Sequence, residues 1–199
     1  RFDPENSEDK TRLYNELDQL LALKPRTVKF VDRCFNANPD LARLIWDYVI
    51  RMDKGCEFHF EIFPELLEAE DLKLLAKAPP HRIRLEAGIQ TVNPDIAKAC
   101  GRVSNWKKAK KSLAFLCQKT QVKLHTDLLA GLPGESIDSV LISLDELASI
   151  FPPEIQLGSL KILPDTPMYI LAKQRQYLWM NTPSWQVLKS DSLSFEQLS

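Results

Sequence analysis

The chain has 199 residues, 44% hydrophobic and 27% charged, with 26 Lys and Arg against 27 Asp and Glu for a formal net charge of -1. Such a chain buries a sizeable core as one soluble globular domain, which excludes intrinsic disorder. The charge balance and the lack of a long basic block give no case for nucleic acid or anionic lipid as partner, and no apolar run approaches the roughly 18 residues of a membrane span.

RFDPENSEDKTRLYNEL begins without methionine and enters a helix almost at once, which reads as a segment of a longer polypeptide. A first strand is expected at TVKFVD (27–32), then a helix near 39–53 started by Asn38 or Pro39. CEFHFEI (56–62) precedes a helix near 64–77 that opens on Pro64, and RIRLEAGI (82–89) precedes one near 94–119 that opens on Pro94. KKAKK (107–111) is read as a solvated face of that helix. VKLHTDLL (122–129), a helix near 136–150 after Ser136, and EIQLGSLKIL (154–163) complete the series. Alternating strands and helices without tight hairpin signals imply parallel strands joined by crossover helices. The strand spacing of very roughly 30 residues matches a (β/α) barrel, with too few units to close. Residues 1–172 are thus expected to form a truncated barrel of about five βα units, and 173–199 a C-terminal extension or linker that docks a further domain. A doubly wound open sheet has the same alternation and stands as the alternative.

Side-chain parity favours the barrel. In RIRLEAGIQ, Ile83, Leu85, Ala87 and Ile89 share one face, and Arg82, Arg84, Glu86, Gly88 and Gln90 the other. EFHFEI sets Phe58, Phe60 and Ile62 against Glu57, His59 and Glu61, and VKLHTDL sets Val122, Leu124, Thr126 and Leu128 against Lys123, His125 and Asp127. Parallel strands covered by helices on both faces read as near-continuous apolar runs. These strands do not, so helices outside and a polar, ligand-holding lumen inside are expected instead.

The turn in VKLHTDLLAGLPGES (122–136) is no P-loop, because Gly131 and Gly134 are followed by Glu135 and Ser136 rather than by lysine and a hydroxyl. Three glycines never fall within six residues, so the dinucleotide fingerprint is missing too. Cys34, Cys56, Cys100 and Cys117 lie far apart with no CxxC pair, and read as buried thiols of a cytoplasmic protein. Barrels of this type do their chemistry at the carboxyl ends of the strands. Standing there are Asp32, Arg33 and Asn36; Glu61; Glu86 and Gln90; Asp127 with the 131–135 turn; and Lys161 with Pro164. Such carboxylates and amides accept hydrogen bonds from ribose hydroxyls and an amino group, and are the wrong set for a polyphosphate. Other readings remain open here. Glu61 and Asp127 are structural carboxylates if paired with Arg82, Arg84 or Lys123, and metal ligands beside His59 and His125 if the chain is a metal-dependent barrel hydrolase or isomerase. A Schiff base at Lys123 or Lys161 finds no sign of desolvation.

VKFVDRCFN, FEIFPELL, RLEAGIQTVNPDIAKACGR, HTDLLAGLPGES and LKILPDTP, in this order over about residues 10–170, resemble the radical S-adenosylmethionine (SAM) domain of cobalamin-binding-type Fe-S oxidoreductases. That family is often named after the anaerobic magnesium-protoporphyrin IX monomethyl ester oxidative cyclase. The resemblance implies a partial TIM-type barrel, a 4Fe-4S cluster held by CxxxCxxC after the first strand, and SAM on its open iron, cleaved on reduction to a 5'-deoxyadenosyl radical. A small-molecule substrate, an electron donor and cobalamin on an upstream domain are implied with it. Carried over by position, Glu61 meets the cofactor's polar end, Gln90 and Asp127 its ribose and Arg102 its carboxylate, while Gly131 lets the backbone approach the adenine side. CxxxCxxC itself is missing from the chain, so the first strand and the cluster loop are expected outside it. Cys34 stands where threonine is expected and Asp165 where glycine is common. An inactive barrel that binds a partner or a nucleoside is the non-enzymatic alternative.

Overall fold

The computed structural model describes residues 3, 6–52 and 55–198. Asn6 opens α1 (Ser7–Ala22), its side chain accepting from the Glu8 and Asp9 amides. After it come β1 (Thr27–Lys29), a 3-10 turn (Phe35–Ala37), α2 (Pro39–Arg51), β2 (Glu57–Ile62), a second 3-10 turn (Pro64–Leu66), α3 (Ala69–Leu75) and β3 (Ile83–Gln90). The chain continues through α4 (Pro94–Ala99), α5 (Trp106–Lys119), β4 (Lys123–Ala130), α6 (Ile137–Ala148) and β5 (Glu154–Ser159). It ends with α7 (Pro167–Gln174), β6 (Leu178–Trp179), β7 (Val187–Lys189) and α8 (Phe195–Leu198).

Strands β1 to β5 form one sheet in chain order, with helices between consecutive strands. β1 pairs with β2, and β2 with β3, in parallel. A doubly wound sheet reverses its direction of growth at a switch point, whereas a (β/α) barrel adds every strand on the same side. The order has no reversal, which decides for the partial barrel.

Several elements differ from the sequence expectation. The helix expected over 64–77 starts as a 3-10 turn and becomes α-helical only at Ala69. β1 covers three residues of 27–32, β5 stops at Ser159, and the last residue of the helix expected over 39–53, Asp53, lies outside the described residues. The helix expected over 94–119 is two helices, and the break has a local cause. Gly101 takes φ 74°, its N–H bonds to Lys98 O (2.9 Å), and the Arg102 N–H reaches back to Ala97 O (2.9 Å). This is a Schellman closure, which ends a helix on a left-handed glycine.

The chain divides into two compact units, residues 1–87 with 109–125, and 88–108 with 126–199. In the first, Phe58, Phe60 and Ile62 of β2 and Ile83, Leu85 and Ala87 of β3 are buried at every second position. The Phe60 ring lies 4.8 Å from Phe30, 4.4 Å from Phe35 and, at right angles, 6.3 Å from the buried Trp46. Aromatic pairs of this kind add about 0.5–1.5 kcal/mol each beyond their buried area. Asn36 is buried and grips Phe63, donating to its carbonyl (2.9 Å) and accepting from its N–H (3.0 Å). Arg43 ties α2 to α3 through the buried Asp71 (2.6 Å) and Glu68 (2.9 Å).

The second unit has its own core of Ile96, Leu132, Leu160, Ile162, Ala172, Tyr177 and Val187. β6 and β7 pair antiparallel, and the β7 segment also lies along the chain after β5, with Val187 N–H on Leu160 O and Ile162 N–H on Trp185 O, both 2.8 Å. Tyr177, Val187 and Leu193 are buried, so residues beyond 172 contribute to this core. Among the described residues no helix is long and apolar enough to cross a membrane.

Candidate functional site

At its carboxyl end β3 makes an abrupt turn. Gln90 has φ 69°, and the Thr91 N–H bonds to the Ile89 carbonyl two residues back (2.9 Å). This is a γ-turn of the rarer, strained hand. A non-glycine residue held there costs about 1–3 kcal/mol, and such strain clusters at ligand sites. Gly88, two residues earlier on the same face, leaves room for the Gln90 side chain: a Cβ at Gly88 would stand 2.9 Å from its amide nitrogen. Thr91 is buried and its hydroxyl lies 3.4 Å from that of Ser143 on α6, which fixes the chain just past the turn.

Gln90, Thr91, Ala97, Cys100, Arg102, Leu129, Leu132, Leu160 and Met168 line one cavity of about 260 Å³ in the second unit. Its wall is mostly aliphatic with a few converging polar groups, the usual make-up of a small-molecule site. Arg102 arrives there because the Schellman closure turns the chain at Gly101, and Leu132 because the 131–135 turn presents it. That turn carries two left-handed glycines, Gly131 (φ 91°) and Gly134 (φ 75°). The space a Gly131 side chain would take is flanked by Val187, Leu198 and Leu160 at 3.5–3.8 Å, so its φ is what calls for glycine.

Glu135 closes the turn and is 1% exposed, accepting from the Leu132 N–H (3.3 Å). Burial pushes its carboxyl up to about 7 even though hydrogen bonds pull the other way. Cys100, exposed as a residue, lines the apolar cavity; lost hydration and then the Glu135 carboxylate push its thiol up to about 11. Asp127 is half-buried on β4. The 131–135 turn, with Leu132 and Glu135, is part of the strand-end set expected from sequence, whereas Thr91 is not. The paired glycines of GLPGE were the available signal, because a turn with two free φ angles needs something inside to hold it.

Glu61 belongs to the first unit, on the polar face of β2. Lys29 Nζ lies 3.1 Å from its carboxylate and 3.4 Å from that of Glu86, and His59 Nε2 stands 2.9 Å from Glu86. Burial, then Lys29, lowers the His59 pKa, while the hydrogen bond to Glu61 raises that of Lys29. Glu61 is therefore paired with Lys29. Arg82 instead caps α2, donating to Val49 O (2.6 Å) and Met52 O (2.5 Å), and Arg84 faces Glu57 at 3.9 Å. Asn36, expected near the ligand, is the buried clamp on Phe63. Among the described residues no three His, Cys, Asp or Glu side chains converge to hold a metal ion. A larger cavity of about 400 Å³ in this unit, lined by Leu21, Ala22, Lys24, Pro25, Gly55 and Cys56, lies at the amino ends of β1 and β2. Barrels do not place their chemistry at that end.

The family model of the Radical SAM superfamily matches residues 1–147. The chain belongs to the radical SAM superfamily. Members of this family bind SAM and a 4Fe-4S cluster. The heme chaperone HemW of Haemophilus influenzae is 30% identical over 117 residues, 59% of this chain and 30% of that protein. The oxygen-independent coproporphyrinogen III oxidase of Paracoccus denitrificans is 27% identical over 104 residues, 52% of this chain and 23% of that one. Among solved structures, the radical SAM methyltransferase TsrM of Kitasatospora setae, with cobalamin and a 4Fe-4S cluster bound, superposes with TM-score 0.70 at 17% identity over 87% of this chain and 33% of that one. That likeness shows the partial-barrel radical SAM fold. The chain spans about a third or less of these radical SAM proteins.

The two radical SAM ligands fare differently against the residues present. A strained glutamine, an arginine and aliphatic walls around one cavity suit SAM. The cluster finds no ligand set: CxxxCxxC is missing, and the four cysteines are dispersed.

Proposed function

We propose that this chain binds SAM through the cavity of the second unit, and that the whole protein is a radical SAM enzyme acting on a small molecule. The observation that carries the reading is that Gln90 and Arg102, twelve residues apart in RLEAGIQTVNPDIAKACGR, line the same cavity. In this reading the Gln90 amide and the Asp127 carboxylate serve the ribose hydroxyls, Arg102 pairs with the cofactor's carboxylate, and Leu129, Leu132 and Leu160 exclude water around the base. Charge-assisted pairing of a guanidinium with a carboxylate is the strong contact of the set. When bound to a reduced cluster, SAM supplies a carbon radical, and this chain's residues orient and shelter it.

The finer reading is a cytoplasmic, cyclase-type oxidoreductase with an electron donor and cobalamin; the five sequence motifs and the cobalamin-bound structural neighbour support it. A second reading has its own support. HemW is named a heme chaperone, so a radical SAM domain that serves as a binding module is a real alternative to an enzyme.

Calorimetric titration with SAM tests the proposal. Arg102→Met is expected to weaken binding about tenfold or more, since a hydrogen bond to a charged group contributes about 1.5–3 kcal/mol, and Gln90→Ala about two- to tenfold, since a neutral one contributes about 0.5–1.5 kcal/mol. Unchanged affinity in both variants, at unchanged melting temperature, would overturn the assignment.

A further inference from the structure

The 131–135 turn is held from two sides. From within, Glu135 accepts from the Leu132 N–H. From the C-terminal segment, Asp191 accepts the Gly134 N–H at 3.1 Å. The same Asp191 oxygen also takes the Tyr177 hydroxyl (3.2 Å) and the Ser192 hydroxyl (3.3 Å), while its other oxygen is paired with Arg175. Val187 and Leu198 pack within 3.7 Å of the position a Gly131 side chain would take. The turn needs such support, because two left-handed glycines in five residues leave it many conformations once its anchors go. Leu132, buried in the unit core, is the side chain through which the turn meets the cavity.

We propose that Asp191 is a positioning residue of the ligand cavity: by holding the Gly134 N–H it fixes the 131–135 turn and so the Leu132 wall, which makes residues 175–198 a working part of the site. The inference rests on the SAM reading above. It separates two jobs of one carboxylate. The oxygen toward Gly134 orders the turn, and the oxygen toward Arg175 secures Asp191 itself and adds stability.

Variants that split these jobs test it, with SAM affinity by calorimetry and melting temperature as paired readouts on the 199-residue chain. Asp191→Ala loses both oxygens and is expected to bind SAM about tenfold more weakly, because the freed turn must then be re-ordered on binding. Asp191→Asn keeps an acceptor for Gly134, and Arg175→Met leaves that acceptor untouched. Both are expected to melt lower yet bind within about twofold of the parent chain. Amide exchange at Leu132 and Gly134 is expected to quicken in Asp191→Ala and to stay slow in Arg175→Met. Asp191→Ser, too short to reach Gly134, repeats the loss should the alanine variant not fold. A parent chain that binds SAM beside an Asp191→Ala variant that binds it equally well refutes the clasp alone. Equal losses in Arg175→Met and Asp191→Ala refute it too, reducing Asp191 to a stabilising ion pair. A folded parent chain that takes up no SAM sinks the cofactor reading instead.

Discussion

Glu135 is 1% exposed, and burial pushes its carboxyl up to about 7. An unfolded glutamate titrates at about 4.3, so the native chain holds the proton more tightly than the unfolded one. The resulting stabilisation is complete below about pH 4 and disappears as pH rises through about 7. A shift of this size corresponds to about 3–4 kcal/mol. Glu135→Gln cannot ionise and is expected to flatten that part of the stability profile. It should melt near the parent chain at about pH 4.5 and above it at about pH 8. Melting curves across this range check the prediction, and parallel profiles for the two proteins would contradict it. At this scale the sequence is legible in part. Parity along the strands places Arg84, Glu86 and Glu61 on polar faces, but the partner of a side chain depends on which helix end lies beside it. Arg82 shares the polar parity of β3, yet the carbonyls of Val49 and Met52 at the end of α2 claim it.

Elements follow the same division between local and remote causes. β2 and β3 were readable because alternate burial over six and eight residues is a local pattern of period two. β6 and β7 cover two and three residues, too few for any period to register; the β7 segment owes its place to backbone bonds with Leu160 and Ile162, and β6 to its pairing with β7. The stop signal between α4 and α5 was present in KACGRVSN, but helical patterns on both sides masked it. Gly101 makes that stop testable. Nothing lies within 4 Å of a Cβ built there, so Gly101→Ala meets no clash and is penalised only for its left-handed φ of 74°. The expected loss is about 1–2 kcal/mol. Because the next residue's N–H closes the cap, the same substitution should also disturb Arg102 and weaken SAM binding. Urea denaturation and calorimetry measure the two effects, and a stable variant with intact binding would show that the cap does not position the arginine.

For the whole molecule, fold and metal chemistry part company. The strand order and the family match describe a radical SAM barrel, but the cluster requires thiolates that converge, and thiolates rather than thiols are the ligands of iron. Cys56 is buried and Cys117 half-buried, burial raises the pKa of both, and the Cys100 thiol is pushed up to about 11. Three of the four cysteines therefore resist deprotonation at neutral pH, and no group of three potential ligands forms among the described residues. Anaerobic incubation of this chain with iron and sulfide is accordingly expected to leave well under one cluster per chain, while SAM binding through Gln90 and Arg102 persists. Iron and acid-labile sulfide analysis after desalting, together with the visible charge-transfer absorption, provides the measurement. A stoichiometric cluster would mean that the dispersed cysteines can be gathered, and the placement of all four would have to be revised.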